Sequence, residues 1–257
     1  MLLGSHVPRD KAIDNAKQRG AEVLQIFVSA PQTWAAPKPR GDEELLRSCG
    51  LPVFVHAPYL ANPASLNSQV RLRTRECLRI QRVAAAAVGA RGLVVHGGHP
   101  TGVGSVEDGI RGWLEVLKEL ELPTRILIEN TAGGNAAVAR KFDDFARLLG
   151  TLRDAGHDVG VVLDTCHAHA GGEDLEGVVQ RLVSFAGAID LMHVNDSKDS
   201  FNSGRDRHEA LGKGQCSSEA LVAAVAAARC PSVVETPGGT QEQSEDVSWL
   251  RERLKSS

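Results

Sequence analysis

Short apolar segments alternate with longer helix-like segments along the whole chain, and this alternation constrains the fold more than any other feature. Eight apolar segments have the length and composition of buried strands. They are MLLGSH, AEVLQIFVS, LPVFVHA, GLVVHGG, RILIENT, VGVVLDT, IDLMHVN and PSVVET. Segments with helical spacing, such as QVRLRTRECLRIQRVAAAAVGA and RKFDDFARLLGTLRDAG, separate them. Eight β-then-α units predict a closed (β/α)8 barrel, the TIM-barrel architecture of the α/β class.

Size and composition are those of one globular domain. The chain has 257 residues, of which 42% are hydrophobic and 24% charged. No linker or low-complexity tract divides residues 1–257, so we expect a single domain. An open doubly wound sheet is the alternative, but no G-x-G-x-x-G follows the first strand. Because the net charge is -3, any contact with nucleic acid would need a local basic face.

The cysteines are scattered and contain no C-x-x-C pair, which indicates neither a disulfide framework nor a cysteine-type zinc site. The start, MLLGSHVPRDK, has no apolar stretch of signal-peptide length. No segment approaches the roughly 20 apolar residues of a membrane span. These observations predict a cytoplasmic protein without membrane contact, in which any metal ligands are histidines and carboxylates.

Seven of the eight predicted strands end at a histidine, an aspartate or a glutamate. These residues are His6, His56, His96, Glu129, Asp164, His193 and Glu235. In a TIM barrel the carboxyl ends of all strands meet at one rim, where active sites of this architecture lie. Several carboxylates on one rim would repel one another and lose solvation unless cations neutralised them. The strand ends therefore predict a metal site.

Further ligand candidates lie just beyond the strands. His167 is three residues after Asp164, and Asp206 and His208 are two residues apart in a loop after the seventh strand. Imidazoles and carboxylates without thiolates suit zinc, with manganese or iron as substitutes. With His6 set aside, nine candidates remain. At three or four ligands per ion with one bridging carboxylate, they fit three ions, which is typical of a multinuclear hydrolase.

The motifs around these residues resemble the endonuclease IV family of apurinic/apyrimidinic (AP) endonucleases. The matching motifs are HAPYLAN (56–62), VVHGGH (94–99), IENTAGG (128–134), LDTCHAHAGG (163–172), MHVNDSK (192–198), GRDRHEALGKG (204–214) and VVET (233–236). They follow the family's order over nearly the whole chain. The resemblance implies a TIM barrel that hydrolyses the phosphodiester 5′ to an abasic site in double-stranded DNA, leaving a 3′-hydroxyl and a 5′-deoxyribose phosphate. It also implies trimming of blocked 3′ ends in base excision repair, and we expect a monomer.

The same resemblance implies a ligand set for three zinc ions per chain, with manganese or iron as partial substitutes. The implied ligands are His56, His96 and Glu129 for the first ion; Glu129, Asp164, His193 and Glu235 for the second; and His167, Asp206 and His208 for the third. Glu129 is also implied as the catalytic residue, because it would bridge two ions and help to hold the attacking water.

Candidate DNA contacts come from two sources. The resemblance implies Gln32, Trp34, Tyr59 and Leu60, which lie in loops after the second and third strands, while a local basic face on the predicted rim adds others. The basic face consists of Lys38, Arg40, Lys198, Arg205, Arg207 and Lys213, and the predicted DNA contacts among them are Lys198, Arg205 and Arg207. The stretch SAPQTW departs from the family pattern, since Ala30 stands where members often have asparagine. This departure affects the prediction of lesion preference but not that of the metal ligands.

Two alternatives remain at this point. Sugar isomerases and epimerases on the same barrel resemble this chain in Glu129, Asp164, His193 and Glu235, but they generally lack the five other ligands. A non-catalytic protein that binds metal or damaged DNA is the second alternative. Among the remaining residues, we expect Cys166 to face away from the metals. His6, Asn130 and Asn195 are expected to orient ligands, backbone or water.

Overall fold

Eight parallel strands close into a barrel in this computed structural model, which describes residues 1–118, 120 and 123–256. The barrel strands are β1 (Leu3–His6), β2 (Leu24–Phe27), β3 (Val53–His56), β4 (Leu93–His96), β5 (Ile126–Glu129), β6 (Val159–Asp164), β7 (Leu191–His193) and β10 (Ser232–Val234). Strands β8 (Asp196–Ser197) and β9 (His208–Glu209) form a small antiparallel pair outside the barrel. Consecutive barrel strands are neighbours and β10 pairs with β1, so the predicted (β/α)8 TIM barrel is confirmed.

Helices surround the barrel in the expected alternation. They are α1 (Ala12–Gln18), α2 (Glu43–Ser48), α3 (Ser68–Ala87), α4 (Val106–Leu117), α5 (Phe142–Asp154), α6 (Thr165–Gly171), α7 (Val178–Ala186), α8 (Ser218–Ala228) and α9 (Thr240–Lys255). The long helix predicted from its arginine and alanine content is α3. Its first turn is capped by Asn67, whose side chain accepts hydrogen bonds from two backbone N–H groups. Within the described residues, no helix is long and apolar enough to cross a membrane.

The core has two parts because successive side chains of a strand point to opposite faces. Val53 and Val55 of β3 point outward into the large cluster that the helices cover. Phe54, between them, belongs to a separate cluster inside the barrel. This inner cluster consists of Val23, Phe54, Val94, Leu127, Val162, Leu191 and Val233. It forms an apolar floor, and the residues two positions further along each strand lie directly above it.

Candidate metal centre

A polar layer lies on the apolar floor, and the period-two geometry of the strands explains its composition. Its ligand candidates each come two residues after a floor residue, as His56 comes after Phe54 and Glu129 after Leu127. The full layer is His6, Gln25, His56, His96, Glu129, Asp164, His193 and Glu235. Because one strand contributes one residue to the layer, ligands far apart in sequence converge at the carboxyl rim.

Glu129 connects two groups of histidines. Its side chain is fully buried, and its Oε2 atom lies 3.3 Å from Nε2 of both His56 and His96. The other oxygen, Oε1, lies 3.0 Å from Nδ1 of His193. The same His193 nitrogen is 3.1 Å from Glu235 and 3.9 Å from Asp164. One carboxylate thus faces two sets of potential metal ligands at once.

A third group lies beside the first two, at the outer end of the centre. Oδ1 of Asp206 is 3.1 Å from Nε2 of His167 and 3.2 Å from Nε2 of His208. In each of the three groups the ligand atoms lie within 4.8 Å of one another. The groups are His56, His96 and Glu129; Glu129, Asp164, His193 and Glu235; and His167, Asp206 and His208. They coincide with the three ligand sets that the family resemblance implies.

Backbone carbonyls determine which nitrogen of several histidines is free to bind a cation. Nδ1 of His56 lies 2.7 Å from the carbonyl oxygen of Ala57, and Nδ1 of His167 lies 3.0 Å from that of Asn130. In His208, Nδ1 lies 3.2 Å from the carbonyl oxygen of Glu235. Since a carbonyl only accepts hydrogen bonds, each Nδ1 carries the proton. Nε2 then presents its lone pair to the centre, as in histidines that bind metals.

Unsatisfied nitrogens supply a test of whether this donor set fits a cation. Nε2 of His167 and Nε2 of His208 are buried and have no hydrogen-bond partner, although both face Asp206. A buried polar atom without a partner is costly. A divalent cation between the two nitrogens and the carboxylate would satisfy all three. Two imidazoles and a carboxylate form a common zinc-binding set, so the residues fit the metal.

The pKa shifts of residues in the centre also favour the binding of a cation. Burial raises the pKa of Glu129, but the positive charges of His193 and His96 outweigh it and hold that pKa well below its usual range. Burial lowers the pKa of His208, whereas the adjacent carboxylates of Asp206 and Asp164 raise that pKa to about 9. Without metal, protonated histidines therefore neutralise buried carboxylates. A bound cation can replace these protons.

Gln25 is a residue of the centre that the sequence did not reveal. It is fully buried in β2, whose last residue, Phe27, is not a ligand. Its Oε1 accepts a hydrogen bond from Nε2 of His193 at 2.9 Å, and its Nε2 donates to Glu235 at 2.7 Å. The strand register could have revealed it, because Gln25 follows Val23 of the apolar floor by two positions and therefore belongs to the polar layer.

Two asparagines and one histidine hold the carboxylates in place. Asn130 exchanges two hydrogen bonds with the backbone of Asp164. Asn195 donates to Oδ2 of Asp164 at 2.7 Å and accepts from the backbone N–H of Glu235 at 2.8 Å. Nδ1 of His6 lies 3.0 Å from Oε1 of Glu235. All three residues thus orient ligands, and such supporting contacts tune a metal site.

Cys166 does not occupy the position that we expected. The prediction that it faces away from the ligands is wrong, because its sulfur lies within 4.8 Å of ligand atoms of Asp164 and His208. The reason is its place in the first turn of α6, directly after the ligand at the end of β6. Burial raises the pKa of its thiol to about 12, so the side chain is a neutral thiol beside the centre.

The residues predicted to contact DNA lie around the opening of the centre. Tyr59 and Leu60 follow β3 and are 53% and 38% exposed. The Tyr59 ring stacks on the ring of His96 at a centroid distance of 6.0 Å. It also borders a cavity of about 310 Å³ that reaches His167 and Asp206. Further out, in the loop after β2, Gln32 is exposed and Trp34 is half-buried.

The predicted basic residues have acidic neighbours. Arg207 forms a two-pronged ion pair with Asp199, and Arg205 lies 3.6 Å from the same carboxylate. Lys198 lies 3.9 Å from Glu209. All three cations are exposed on the segment that carries β8 and β9. Three cations thus face two carboxylates, so their charges are partly compensated within the protein.

Comparisons with known proteins identify the family and the fold of this chain. The family model described as xylose isomerase-like TIM barrel matches residues 13–253. A Mycobacterium marinum protein named probable endonuclease 4 is 46% identical, and the match covers all of both chains. The crystal structure of endonuclease IV from Thermus thermophilus covers all of both chains with a TM-score of 0.85 and 29% identity. A D-tagatose 3-epimerase-like protein has a TM-score of 0.80 at 17% identity, covering 100% of this chain and 98% of its own.

The last of these likenesses shows the fold alone, since its sequence identity is low. The full-length likeness to endonuclease 4 proteins goes further, because it extends over every strand end that contributes to the centre. The chain belongs to the endonuclease IV (endonuclease 4) family of the xylose isomerase-like TIM barrels.

Proposed function

We propose that this protein is a metal-dependent AP endonuclease of base excision repair. It hydrolyses the phosphodiester 5′ to an abasic site in duplex DNA and leaves a 3′-hydroxyl and a 5′-deoxyribose phosphate. One observation carries the proposal: three complete ligand groups, two of them joined by Glu129, lie below an opening bordered by the exposed Tyr59. Trimming of blocked 3′ ends requires the same hydrolysis of a phosphate ester, so we assign it to the same centre.

The proposed cofactors are three zinc ions, one for each ligand group. Manganese or iron can substitute in part, because imidazole and carboxylate ligands accept them. Zinc at these groups supplies Lewis-acid polarisation of phosphate oxygens and activation of water. Since every group is completed by residues of one chain, the protein needs no second subunit for its centre, and we propose that it acts as a monomer.

Glu129 is the proposed catalytic residue. Its two oxygens face different groups, one toward His56 and His96 and the other toward His193. Because its pKa lies well below the usual range, it remains anionic at neutral pH. A carboxylate in this position fixes the separation of the first two groups, and with metal bound it would accept a hydrogen bond from the activated water. No side chain is required as a nucleophile.

The surrounding residues position the DNA. Tyr59 and Leu60 present apolar surface at the opening, where they can press against the lesion, and Gln32 and Trp34 extend this surface beyond β2. The exposed basic side chains on the other side of the centre are proposed to contact phosphates. These are Lys198, Arg205 and Arg207.

A nicking assay tests the proposal. The substrate is a duplex with one tetrahydrofuran abasic analogue, incubated with zinc-loaded protein in the absence of magnesium. We expect one cut on the 5′ side of the analogue and a 3′-hydroxyl that a DNA polymerase extends, with the undamaged duplex left intact. Absence of a cut would refute the assignment.

The second group alone could serve a sugar isomerase or epimerase, which needs one or two metals on the same barrel. That function would leave five further ligands without a role. The two functions are distinguished by assaying the same preparation with the abasic duplex and with ketoses such as D-tagatose. Epimerisation of a ketose without cleavage of the duplex would favour the alternative.

A further inference from the structure

Two cations at the start of α5 have no acidic partner among the described residues. Arg140 donates from Nη2 to the side-chain oxygen of Asn202 at 3.1 Å, and its Nε is buried without a hydrogen-bond partner. Lys141 donates from Nζ to the carbonyl oxygen of Gly172 at 3.2 Å. Both acceptors are neutral, so neither cation has an ion-pair partner among the described residues. The nearby acids are used elsewhere: Asp144 pairs with Arg147, and Glu173 with Arg181.

This pair of cations lies directly behind the wall of the metal centre. Nη2 of Arg140 is 3.7 Å from the point where a Cβ would stand on Gly204. The carbonyl oxygen of Gly204 is only 2.0 Å from the corresponding point on Gly133, so the two backbones pack in direct contact. Gly133, Gly204 and Asp206 all line the cavity of the centre. The pair is therefore separated from the third ligand group by a thin wall of backbone.

The other basic residues of this rim differ from Arg140 and Lys141 because each of them lies near a carboxylate. Arg205 and Arg207 share the carboxylate of Asp199, and Lys198 lies near Glu209. A phosphate that binds these cations competes with an existing carboxylate. A phosphate that binds Arg140 or Lys141 competes with no carboxylate, because the present acceptors are neutral oxygens, which are weaker partners for a cation.

We propose that Arg140 and Lys141 form a phosphate clamp for the DNA backbone on the outer side of the wall formed by Gly133 and Gly204, beyond the third ligand group. This inference rests on the proposed function, since it takes duplex DNA as the ligand. The planar guanidinium of Arg140 suits a two-pronged contact with one phosphate, and Lys141 supplies a point charge for the same or the next phosphate. Their contacts with Asn202 and Gly172 already hold both side chains in place, which reduces the entropy lost on binding.

The test is the salt dependence of cleavage by the double variant Arg140→Gln/Lys141→Gln. Each phosphate contact contributes about 0.9 to the slope of log affinity against log salt, so we expect a slope of kcat/KM that is shallower by about 1 to 2. At moderate salt we expect KM to rise about tenfold while kcat stays within about twofold. The matched control is Arg111→Gln/Arg147→Gln, which removes two exposed helical arginines that already pair with Asp108, Asp144 and Glu107.

Three outcomes overturn the clamp. The first is a slope equal to that of the wild type, and the second is an equal change in the control, which would indicate an effect of net charge. The third is a loss of kcat with an unchanged slope, which would indicate a structural role. Arg140→Lys/Lys141→Arg should restore the wild-type slope, because it keeps both charges. If the wild-type protein cleaves normally, these outcomes leave the proposed function intact, whereas a wild type that cuts no abasic duplex refutes both.

Discussion

The metal centre and the basic rim around it are built on different principles. Six of the nine candidate ligands stand at or next to the ends of barrel strands above the apolar floor, and most of the nine are buried and held by a second contact. The cations of the rim stand on loops, are exposed or half-buried, and differ mainly in whether an acid lies beside them. Barrel geometry therefore determines the chemistry of this protein, whereas contacts between loops determine how much charge it offers to DNA.

The largest effect is expected at the residue that joins two ligand groups. Glu129→Gln keeps the shape of the side chain but removes the charge that faces His56, His96 and His193. We expect nicking of the abasic duplex to fall by about 10³-fold or more, because metal-centred charge stabilisation is lost. DNA binding measured by fluorescence anisotropy should persist. A variant that kept a tenth of the activity would remove Glu129 from its proposed role.

A smaller effect is expected at the residue that only supports ligands. Gln25→Ala removes the hydrogen bonds to His193 and Glu235, and loss of such contacts typically lowers metal affinity by about 10- to 100-fold. Competition with a chelator measures this affinity directly and does not depend on turnover.

Gln243→Ala is the matched control for Gln25→Ala. Gln243 is also a buried amide, but it bonds to Ser5, Arg19 and the carbonyl oxygen of Thr236 and contacts no ligand. We expect it to lower thermal stability without changing the chelator concentration that strips the metal. Equal metal loss in both variants would mean that Gln25 acts only through packing.

Metal uptake should depend on pH through the third group. The pKa of His208 without metal is about 9, above the ordinary value of 6.5, so this imidazole is protonated at neutral pH. Binding must displace that proton, and affinity should fall about tenfold for each pH unit below 9. The stability of the metal-free protein changes with pH in the opposite direction. The raised pKa of His208 contributes fully to the free energy of unfolding below about pH 6.5, and this contribution is lost as pH rises through 9.

Calorimetric titration with zinc in buffers of different ionisation enthalpy measures the proton release. We expect release at pH 7.5 and less of it at pH 9.5. Binding without proton release at pH 7.5 would contradict the protonated histidines described for the metal-free centre.

The smallest effect is expected at a compensated cation. Arg207→Gln removes a charge that Asp199 already neutralises, so we expect KM to rise only about threefold, in the range of exposed ion pairs. Steady-state kinetics at fixed salt measure it. A rise as large as that of the Arg140→Gln/Lys141→Gln variant would erase the distinction between paired and unpaired cations.

The fold and the ligand positions could be predicted because both depend on local patterns. A buried parallel strand is a short apolar segment, and its last residue must lie at the carboxyl rim of a barrel. His56, His96, Glu129 and Asp164 end their strands in the structure as they do in the sequence pattern. Glu235 follows its strand by one residue. The family resemblance implied how these candidate ligands would divide among three ions.

The contacts between distant loops and strands could not be predicted in this way. Gln25 stands inside an apolar strand, and its partner His193 is 168 residues away. The pairing of Arg205 and Arg207 with Asp199 depends on how the loop between β8 and β9 closes. Cys166 was misplaced for a similar reason, since the direction of its side chain depends on the exact start of α6.

Elemental analysis of the purified protein tests the central claim most directly, because the account rests on three complete ligand groups in one chain. We predict close to three transition-metal ions per chain, mainly zinc, and a loss of about one ion in Asp206→Ala, which lacks the carboxylate shared by His167 and His208. A wild-type protein that binds a single ion at saturation would contradict the three-metal centre. It would favour the isomerase alternative, which needs only the second ligand group.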